Sequence, residues 1–494
     1  MQTRVKVANI KDDSMQAYQG LNQQFIGGHW TTGTSTKSMT NRNPYQQTVI
    51  FEMQFASVVD VDSAYSAAQK AFDEQVIKSA EVRKQVITKL QQVIQQRREE
   101  IVQWLIDESG STRLKANIEV DAALGVIQEA AQFPDQMTTT LLESKDPHVR
   151  SFVLRKPLGV IAVISPWNFP FHLSMRSVVT AIACANSVVL KPASDTPVTG
   201  GTLLGKLFEE AGLPAGVLNV VVGASREIGD YFVEHATPKM ISFTGSTAVG
   251  QRVGQKAVGG ETLKRVALEL GGNAPLVILD DANVDLAVEL TIMGRFLHQG
   301  QICMSTNRVI VDESIYAVYI DKLLARVQQL VVGDPNAQNT LIGPIINSEQ
   351  VKKHQQIIQK AKAQGAELIY EGGINGNLVA PHIFVNVDAK AEIVQHESFG
   401  PILPILQAEN EAHALQLANQ TQYGLSAAVC TANLERGSDF AAQLDVGMTH
   451  INGITVADHA NAPFGGEKNS GLGRFNGRWI FEGFTRTHWM TCPA

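Results

Sequence analysis

Residues 239–250, KMISFTGSTAVG, carry the pattern that decides the fold. A short apolar run ends at a glycine-serine turn and a helical pattern begins directly after it, which is how a strand of a parallel sheet connects to its helix. Three earlier runs have the same form, namely GVIAVIS at 159–165, SVVLKP at 187–192 and VLNVVVG at 217–223. We therefore predict an α/β fold in which a parallel sheet is covered by helices.

The chain on either side extends this prediction. From Val59 to Ser109 the apolar residues recur at helical spacing, which is typical of surface helices that cover a sheet. A second series of apolar runs follows ELGG at 269–272 and predicts a second α/β domain. Its members are PLVILD at 275–280, RVIVD at 308–312, ELIYEG at 367–372 and PILPILQ at 401–407.

These patterns divide the chain into two domains and an extra element. The first domain is predicted at 1–137 and 157–267, and the second at 268–474. Residues 138–156 and 475–494 fit neither series, and we predict that they form strands that pair between subunits.

Composition narrows the possible functions of the 494 residues. The chain is 44% hydrophobic and 18% charged, as in ordinary globular α/β enzymes, and its formal net charge is -7. Basic clusters that would bind nucleic acid or anionic lipid are lacking, so neither is expected as a partner. The opening MQTRVKVANIKDDSMQAY is too polar for a signal peptide, and a cytoplasmic location is expected. The four cysteines show no CxxC pairing, so no metal site is expected.

One set of residues has the pattern of a phosphate site. Gly245, Ser246 and Gly250 stand where backbone N–H groups and the positive end of a helix would face a phosphate. An ordinary strand-helix connection has the same pattern. Lys191 ends a predicted parallel strand, where ligands bind in open α/β sheets, although a solvated lysine is the competing interpretation. Ser194 stands where a carboxylate would repel a 2′-phosphate, so NAD and NADP both stay open.

A second set has the pattern of covalent catalysis. Cys303 lies in FLHQGQICMSTNR, where glycine and polar residues interrupt an apolar pattern just before a strand, so we predict a loop thiol at a cleft. Cys184 and Cys430 lie among small apolar residues and are interpreted as buried, whereas Cys492 stands two residues from the end. A thiol nucleophile needs a nearby base, and Glu269 is the candidate. A structural carboxylate bonded to backbone N–H groups is an equally good interpretation of Glu269 at this point.

Seven motifs, taken together, resemble the aldehyde dehydrogenase superfamily in order and spacing, over nearly the whole chain. They are PWNFP at 166–170, KPAS at 191–194, FTGS at 243–246, ELGG at 269–272, GQIC at 300–303, ESFGP at 397–401 and PFGG at 463–466. Within that superfamily, FPFHLSMRSVV, KPASDTPVTGG and HQGQICMSTNR are similar to bacterial benzaldehyde and vanillin dehydrogenases.

The resemblance implies a fold and a reaction. It implies a Rossmann-like NAD(P)-binding domain, an α/β catalytic domain and a small β arm for assembly into a homodimer or homotetramer. Cys303 would attack an aldehyde to give a thiohemiacetal, and the substrate carbon would then lose hydride to NAD or NADP. The resulting thioester would be hydrolysed by water that Glu269 activates. Asn168 would share an oxyanion hole with the Cys303 N–H, although on its own it would be interpreted as a turn residue.

The resemblance also assigns binding residues. It implies cofactor contacts at Ser165, Pro166, Trp167, Lys191, Ser194, Gly223, Gly245, Ser246, Leu270, Glu397 and Phe399. It implies a substrate pocket lined by Phe169, His172, Arg176, Leu297, Ile302, Met304, Val456 and Phe464. This mostly apolar set favours benzaldehyde-like substrates. Arg176 would meet a ring hydroxyl or a carboxylate, or be solvated or paired structurally.

Two positions depart from the family pattern. Phe475 follows the arginine of SGLGR where many relatives carry Glu, and Ser177 stands where they carry Lys. A proton relay built from those charged groups is therefore in doubt, and we hypothesise that the proton of Glu269 leaves through water or backbone carbonyls.

Other functions stay open beside this one. An aldehyde dehydrogenase for aliphatic aldehydes or semialdehydes, a catalytically silent scaffold and a cofactor-free thiol hydrolase are the alternatives. A CoA-acylating relative usually lacks the glutamate, so Glu269 argues against that activity.

Overall fold

The computed structural model describes residues 16–494. The polar opening on which the signal-peptide argument rested falls almost wholly outside this range, and so do the first 15 residues of the predicted first domain. Within residues 16–494, no helix is both long enough and apolar enough to cross a membrane.

The strands follow one another along the whole of the described chain. They are β1 (Gln24–Ile26), β2 (His29–Thr31), β3 (Ser38–Arg42), β4 (Val49–Gln54), β5 (Thr139–Leu142), β6 (Val149–Pro157), β7 (Val160–Ile164), β8 (Ser187–Lys191), β9 (Leu218–Val220), β10 (Met240–Thr244), β11 (Arg265–Glu269), β12 (Ala274–Ile278), β13 (Thr306–Asp312), β14 (Glu367–Glu371), β15 (Ile374–Asn375), β16 (Leu378–Val379), β17 (His382–Val385), β18 (Ile402–Ala408), β19 (Tyr423–Gly424), β20 (Ser426–Cys430), β21 (Met448–Ile451), β22 (Glu467–Lys468), β23 (Gly471–Leu472) and β24 (Thr485–Pro493).

The helices alternate with these strands. They are α1 (Val58–Asp73), α2 (Ala80–Gln96), α3 (Arg98–Ser109), α4 (Arg113–Ala130), α5 (Phe133–Gln136), α6 (Pro170–Ala183), α7 (Leu203–Glu210), α8 (Ser225–Glu234), α9 (Thr247–Gly259), α10 (Val284–Phe296), α11 (Tyr316–Val327), α12 (Ser348–Ala363), α13 (Glu392–Gln395), α14 (Glu411–Asn419), α15 (Leu434–Ala442) and α16 (Gly477–Gly483). A π-helical turn covers Val198–Thr202 and a 3₁₀ turn covers Leu297–Gly300.

The first sheet has eight strands in the order β2-β1-β9-β8-β7-β10-β11-β23. Its five central strands, β9 to β11 in that order, are parallel, which confirms the predicted βαβ series. Successive strand residues face opposite sides, so Val160 contacts the cluster under α1, α8 and α9 while Ile161 contacts the cluster under α2, α3, α4 and α6. Helices therefore bury both faces, as the uninterrupted apolar runs require.

The second sheet repeats this construction with seven strands in the order β14-β17-β18-β13-β12-β20-β21. All pairs are parallel except β14 with β17. Helices α10 and α11 cover one face, and α12 to α15 cover the other. The predicted second α/β domain is confirmed as an element of the fold.

The sheets do not divide cleanly at residue 268, and the predicted domain boundaries stay a prediction. Strand β11 belongs to the first sheet and continues to Glu269, and β23 returns from the second region to pair with it. The first sheet therefore includes β23, which follows the strands of the second sheet in the chain. The two sheets cannot be separated by dividing the chain at one residue.

The extra element is a three-stranded sheet in the order β24-β6-β5. Its strands pair within the chain, with Thr485 opposite Pro157 and Pro493 opposite Val149. The predicted strand character of the tail is wrong for its first part, because residues 477–483 form helix α16 and bury Ile480 and Phe481 in the core. Pairing of this sheet between subunits stays a prediction.

Candidate active site

The carboxyl ends of the parallel strands place Glu269 at the edge where ligands bind in such sheets. Glu269 is the last residue of β11 and lies opposite Thr244, the last residue of β10. Its side chain is 1% exposed, and its Oε1 atom has no hydrogen-bond partner among residues 16–494. Burial raises the pKa of Glu269 to about 7, against a lowering by the charge of Arg176 and by hydrogen bonding with the Cys303 thiol.

A tight left-handed turn delivers Cys303 to this carboxylate. His298, Gln299 and Gly300 all have positive φ, and a Cβ at residue 300 would lie 2.5 Å from the Gly400 carbonyl oxygen. Only glycine fits that contact. The Gln299 amide donates to the Pro344 carbonyl at 2.7 Å, which holds the turn from outside.

The loop after β11 brings the two groups together. Gly272 packs so closely against the Cys303 carbonyl that a Cβ there would overlap with it. The Cys303 side chain keeps some exposure, and the pKa of its thiol is raised well above the usual value by burial and by the nearby carboxylates of Glu269 and Glu397. Cys303 therefore rests as a thiol and must transfer its proton when it attacks.

Asn168 lies beside the nucleophile loop. It is 4% exposed and its Nδ2 atom donates to the Gln301 carbonyl at 2.9 Å. An amide nitrogen has two hydrogens, so one N–H of Asn168 is left for another acceptor. The structure thus brings together all three predicted catalytic residues.

The predicted pocket residues divide into two kinds. Six apolar members share one cluster with Cys303, and these are Phe169, Leu297, Ile302, Met304, Val456 and Phe464. His172 is different, because its Nε2 atom pairs with Asp458 Oδ2 at 2.9 Å. The thiol therefore adjoins the apolar core, with the carboxyl groups of Glu269 and Glu397 near it and a polar corner at His172 and Asp458.

Arg176 occupies that polar corner. It is 1% exposed, and its Nη1 atom lies 3.7 Å from Asp458 Oδ2, beyond hydrogen-bond distance. None of its three guanidinium nitrogens has a hydrogen-bond partner in the described part of the chain. Its guanidinium instead lies 4.8 Å from the ring centroid of Phe464 and 4.3 Å from that of Phe475. Arg176 thus packs against two aromatic rings, and its contact with a substrate group stays a prediction.

The two residues that depart from the family pattern are both buried. Phe475 is fully buried and its backbone bonds to that of Phe464. Ser177 lies beside Ser242, with 3.0 Å between the two hydroxyl oxygens. Neither position offers an ionisable group, whereas Arg176 is a cation close enough to affect Glu269.

The candidate phosphate residues lie around the start of α9, and phosphate binding there stays a prediction. Ser246 is the N-cap of α9 and its side chain makes no capping bond, so the first N–H groups of that helix stay available. Lys191 ends β8, and its Nζ atom donates to Ser225 Oγ at 3.1 Å. Burial lowers the pKa of Lys191 to about 8. Ser194 lies three residues after Lys191 in the sequence, is partly exposed, and has an uncharged side chain.

The glycines of this region also have packing reasons. A Cβ at Gly245 would lie 2.7 Å from the Phe243 ring, and a Cβ at Gly223 or Gly250 would overlap with Ile228 or Leu270. Leu270 itself is buried and its N–H donates to the Ser470 carbonyl. Close packing alone therefore accounts for glycine at 223, 245 and 250.

The remaining predicted cofactor residues meet around the PWNFP turn and the ESFGP loop. Trp167 and Phe399 contact edge to face with 5.4 Å between ring centroids, and Pro166 precedes Trp167 in the same turn. Ser165 is buried and its hydroxyl accepts from Ser174.

Glu397 faces the nucleophile region as well. Its Oε1 atom accepts from the Gly272 N–H at 3.1 Å, and burial raises the pKa of Glu397 to about 8. The site thus has an aromatic wall and a second carboxyl group beside the first.

Several functional neighbours were missed by sequence reasoning. Asp458 binds His172 and Asn476, Arg295 links the Thr306 carbonyl to the ESFGP loop, and Lys115 with Glu119 contacts the PWNFP turn. The motifs gave no signal for Asp458 or Arg295. Lys115 and Glu119 gave a weak signal, because they stand four residues apart on a helix among apolar neighbours.

A thiol on a tight turn, next to a buried carboxyl group at the carboxyl edge of a parallel sheet, defines a class of enzymes that work through covalent thiol intermediates. Comparison with known proteins identifies the family. The family model described as "Aldehyde dehydrogenase family" matches residues 30–490. This chain belongs to the aldehyde dehydrogenase family, which confirms the predicted resemblance and fold.

Three relatives illustrate the likeness. The vanillin dehydrogenase of Corynebacterium glutamicum is 51% identical over 95% of this chain and 97% of its own. The benzaldehyde dehydrogenase of Bacillus subtilis is 45% identical over 97% and 98%. The crystal structure of an NAD-dependent benzaldehyde dehydrogenase from Corynebacterium glutamicum has a TM-score of 0.88 at 47% identity, covering 96% of this chain and 97% of that one. The similarity to bacterial benzaldehyde and vanillin dehydrogenases is therefore also confirmed.

Proposed function

We propose that this chain oxidises aromatic aldehydes to carboxylic acids with NAD⁺ or NADP⁺, using Cys303 as nucleophile and Glu269 as general base. The observation that carries the proposal is the Cys303 thiol beside the buried Glu269 carboxyl group, inside an apolar cluster. The names of the relatives, which are vanillin and benzaldehyde dehydrogenases, support the aromatic substrate class.

The first half of the reaction follows from the thiol. As the Cys303 sulfur forms a bond to the aldehyde carbon, its proton passes through Glu269 to solvent water, so that Glu269 is ionised again, and the carbonyl becomes an oxyanion. The free N–H of Asn168 and the Cys303 backbone N–H stabilise that oxyanion. When bound, the dinucleotide supplies the acceptor for the hydride that leaves the same carbon, and Cys303 is then held as a thioester.

The second half depends on Glu269. Its carboxylate removes a proton from water, the water oxygen attacks the thioester carbon, and the carbon-sulfur bond breaks to release the acid and Cys303. A base with a pKa of about 7 is half ionised near neutral pH, so it accepts a proton and returns it under the same conditions.

The residues present fit a dinucleotide. The uncapped N-terminus of α9 suits a phosphate, and the buried amino group of Lys191 at the end of β8 suits a ribose hydroxyl. Glu397 and the Trp167–Phe399 pair would hold the nicotinamide end. Ser194 presents no negative charge to a 2′-phosphate, so NADP⁺ is accepted beside NAD⁺.

Steady-state kinetics on a set of aldehydes tests the proposal. Benzaldehyde and vanillin should give higher kcat/KM values than a short aliphatic aldehyde and a semialdehyde, because the cluster around Cys303 is apolar. Turnover is measured by nicotinamide absorbance with NAD⁺ and with NADP⁺. A far higher kcat/KM for the aliphatic aldehyde or the semialdehyde would overturn the aromatic assignment.

The charge of Arg176 has a separate, measurable effect. It lowers the pKa of Glu269, so Arg176→Met should raise that pKa. The base works in its ionised form, so the rising limb of kcat against pH should move to higher pH. The shift should be the same for benzaldehyde and for vanillin, because Arg176 acts here on Glu269.

Two aldehydes distinguish this effect from substrate contact. If Arg176→Met lowers activity with vanillin alone and leaves the pH profile unchanged, the electrostatic role is contradicted. That result would indicate that Arg176 binds the ring hydroxyl.

Assembly and location are proposed on narrower grounds. A homodimer or homotetramer is supported by the exposed apolar side chains of the three-stranded sheet, among them Leu141, Trp489 and Met490. A cytoplasmic location is proposed from the sequence alone.

A further inference from the structure

Lys115 and Glu119 form an ion pair one turn apart on α4, and both side chains are 0% exposed. Taking two ions out of water is costly, and well-packed apolar residues often give equal or greater stability. The pair is therefore a poor device for stability alone, and the contacts of its remaining polar atoms indicate what else it does.

Three of the four contacts lead to the start of α6. The Lys115 Nζ atom donates to the Asn168 carbonyl at 2.6 Å and to Ser111 Oγ at 3.0 Å. Glu119 Oε1 accepts from the N–H groups of Phe171 and His172 at 2.8 and 3.1 Å. Lys115 thus holds Asn168, two residues before the helix. Glu119 binds the first free N–H groups of the helix itself.

Helix α6 needs this help because it lacks a cap of its own. Its N-cap residue is Phe169, which has no side-chain acceptor, and Pro170 follows. A carboxylate from a neighbouring helix takes the place of the usual Ser, Thr or Asp cap. The PWNFP turn is consequently anchored to α4 through a charged pair.

Asn168 is the residue whose position this anchoring sets. Its carbonyl is held by Lys115, and its side chain reaches the Gln301 carbonyl beside the nucleophile loop. An oxyanion hole works only when its donors point at one place, and a small displacement costs rate.

We propose that Lys115 and Glu119 are positioning residues that hold the Asn168 amide in the oxyanion hole through the start of α6. The inference rests on the proposed function, because it assumes that Asn168 stabilises the oxyanion. Both side chains are fully buried and bond to the backbone, so the effect is transmitted through residues 168 to 172.

A double-mutant cycle tests this role. Glu119→Gln should lower kcat for benzaldehyde by about 10- to 100-fold, as loss of an orienting partner typically does. KM for NAD⁺ should stay within about twofold, because the uncapped end of α9 is untouched. In an Asn168→Ala background the same change should lower kcat by less than about twofold, since the amide that it positions is gone.

Controls separate positioning from folding. Asp121→Asn removes an exposed ion pair from the same helix and should leave kcat unchanged. Glu119→Asp keeps the charge and is the second variant should Glu119→Gln not fold. Thermal melting of each variant checks that the fold is intact.

The results distinguish failure of the positioning role from failure of the oxyanion function. Equal losses of kcat with and without Asn168, or a folded Glu119 variant with wild-type kcat, would overturn the positioning role. An Asn168→Ala enzyme with wild-type kcat would instead overturn the oxyanion function on which the inference rests.

Discussion

Replacing Cys303 by alanine should reduce dehydrogenase turnover by about 10⁴-fold or more, because no other group can form the covalent intermediate. Cys184 and Cys430 are 0% and 1% exposed, and burial raises the pKa of both thiols, so neither can substitute. The measurement is NADH formation from benzaldehyde at saturating NAD⁺. Any ester hydrolysis should disappear with it, since both activities use the same sulfur.

Cys492→Ala is the matched control. This cysteine lies on β24, away from the first and second sheets, and its loss should leave turnover unchanged. Persistent dehydrogenase turnover in Cys303→Ala would refute the covalent mechanism, and loss in both variants would point to a general effect of removing thiols.

Glu269→Gln should separate the two halves of the reaction. Gln keeps the size of the side chain but cannot take a proton from water, so thioester hydrolysis should slow by about 10²- to 10⁴-fold. The variant also lacks the acceptor of the Cys303 proton, so the thiohemiacetal should form more slowly than in the wild type, with water as the acceptor. Hydride transfer needs no proton from Glu269 once the thiohemiacetal has formed. Stopped-flow absorbance should therefore show a burst of close to one NADH for each active site, followed by a slow phase.

The pH profile adds a second signature of Glu269. Burial raises its pKa to about 7, and the ionised form is the base, so wild-type kcat should rise as the pH increases through about 7. The rising limb should be absent in Glu269→Gln. Wild-type enzyme at a pH well below 7 is the control and should resemble the variant. A Gln variant with full steady-state turnover, or with an unchanged limb, would show that another group is the base.

The sheets could be predicted from sequence because each central strand is buried on both faces. Such strands are mostly apolar throughout, as in VIAVI of β7, and the turns between them carry glycine or proline. The edge strands of the first sheet could not be predicted in this way. Strands β1 and β2 are three residues long and pair antiparallel, so their pattern is too short to be recognised.

The tail failed as a prediction for a related reason. Residues 475–484 carry aromatic residues that suit a strand, yet tertiary packing against the core turns part of the segment into α16. Local pattern alone does not contain that contact.

The candidate site shows the same limit. Cys303 and Glu269 were recognised because they stand in motifs with distinctive neighbours. The pairing of His172 with Asp458 spans 286 positions, and that of Lys115 with Asn168 spans 53, so neither leaves a local pattern. The substitutions at Ser177 and Phe475 were visible, but the cation of Arg176 that contacts the Phe475 ring became evident only in three dimensions.

The most direct test of the account is to locate the acyl group. Glu269→Gln is mixed with benzaldehyde and NAD⁺, quenched in acid during the slow phase, digested and examined by mass spectrometry. We expect a benzoyl group on the peptide that contains Cys303, in an amount that matches the NADH burst. A full burst with Cys303 unmodified, or with the benzoyl group on another residue, would contradict the mechanism.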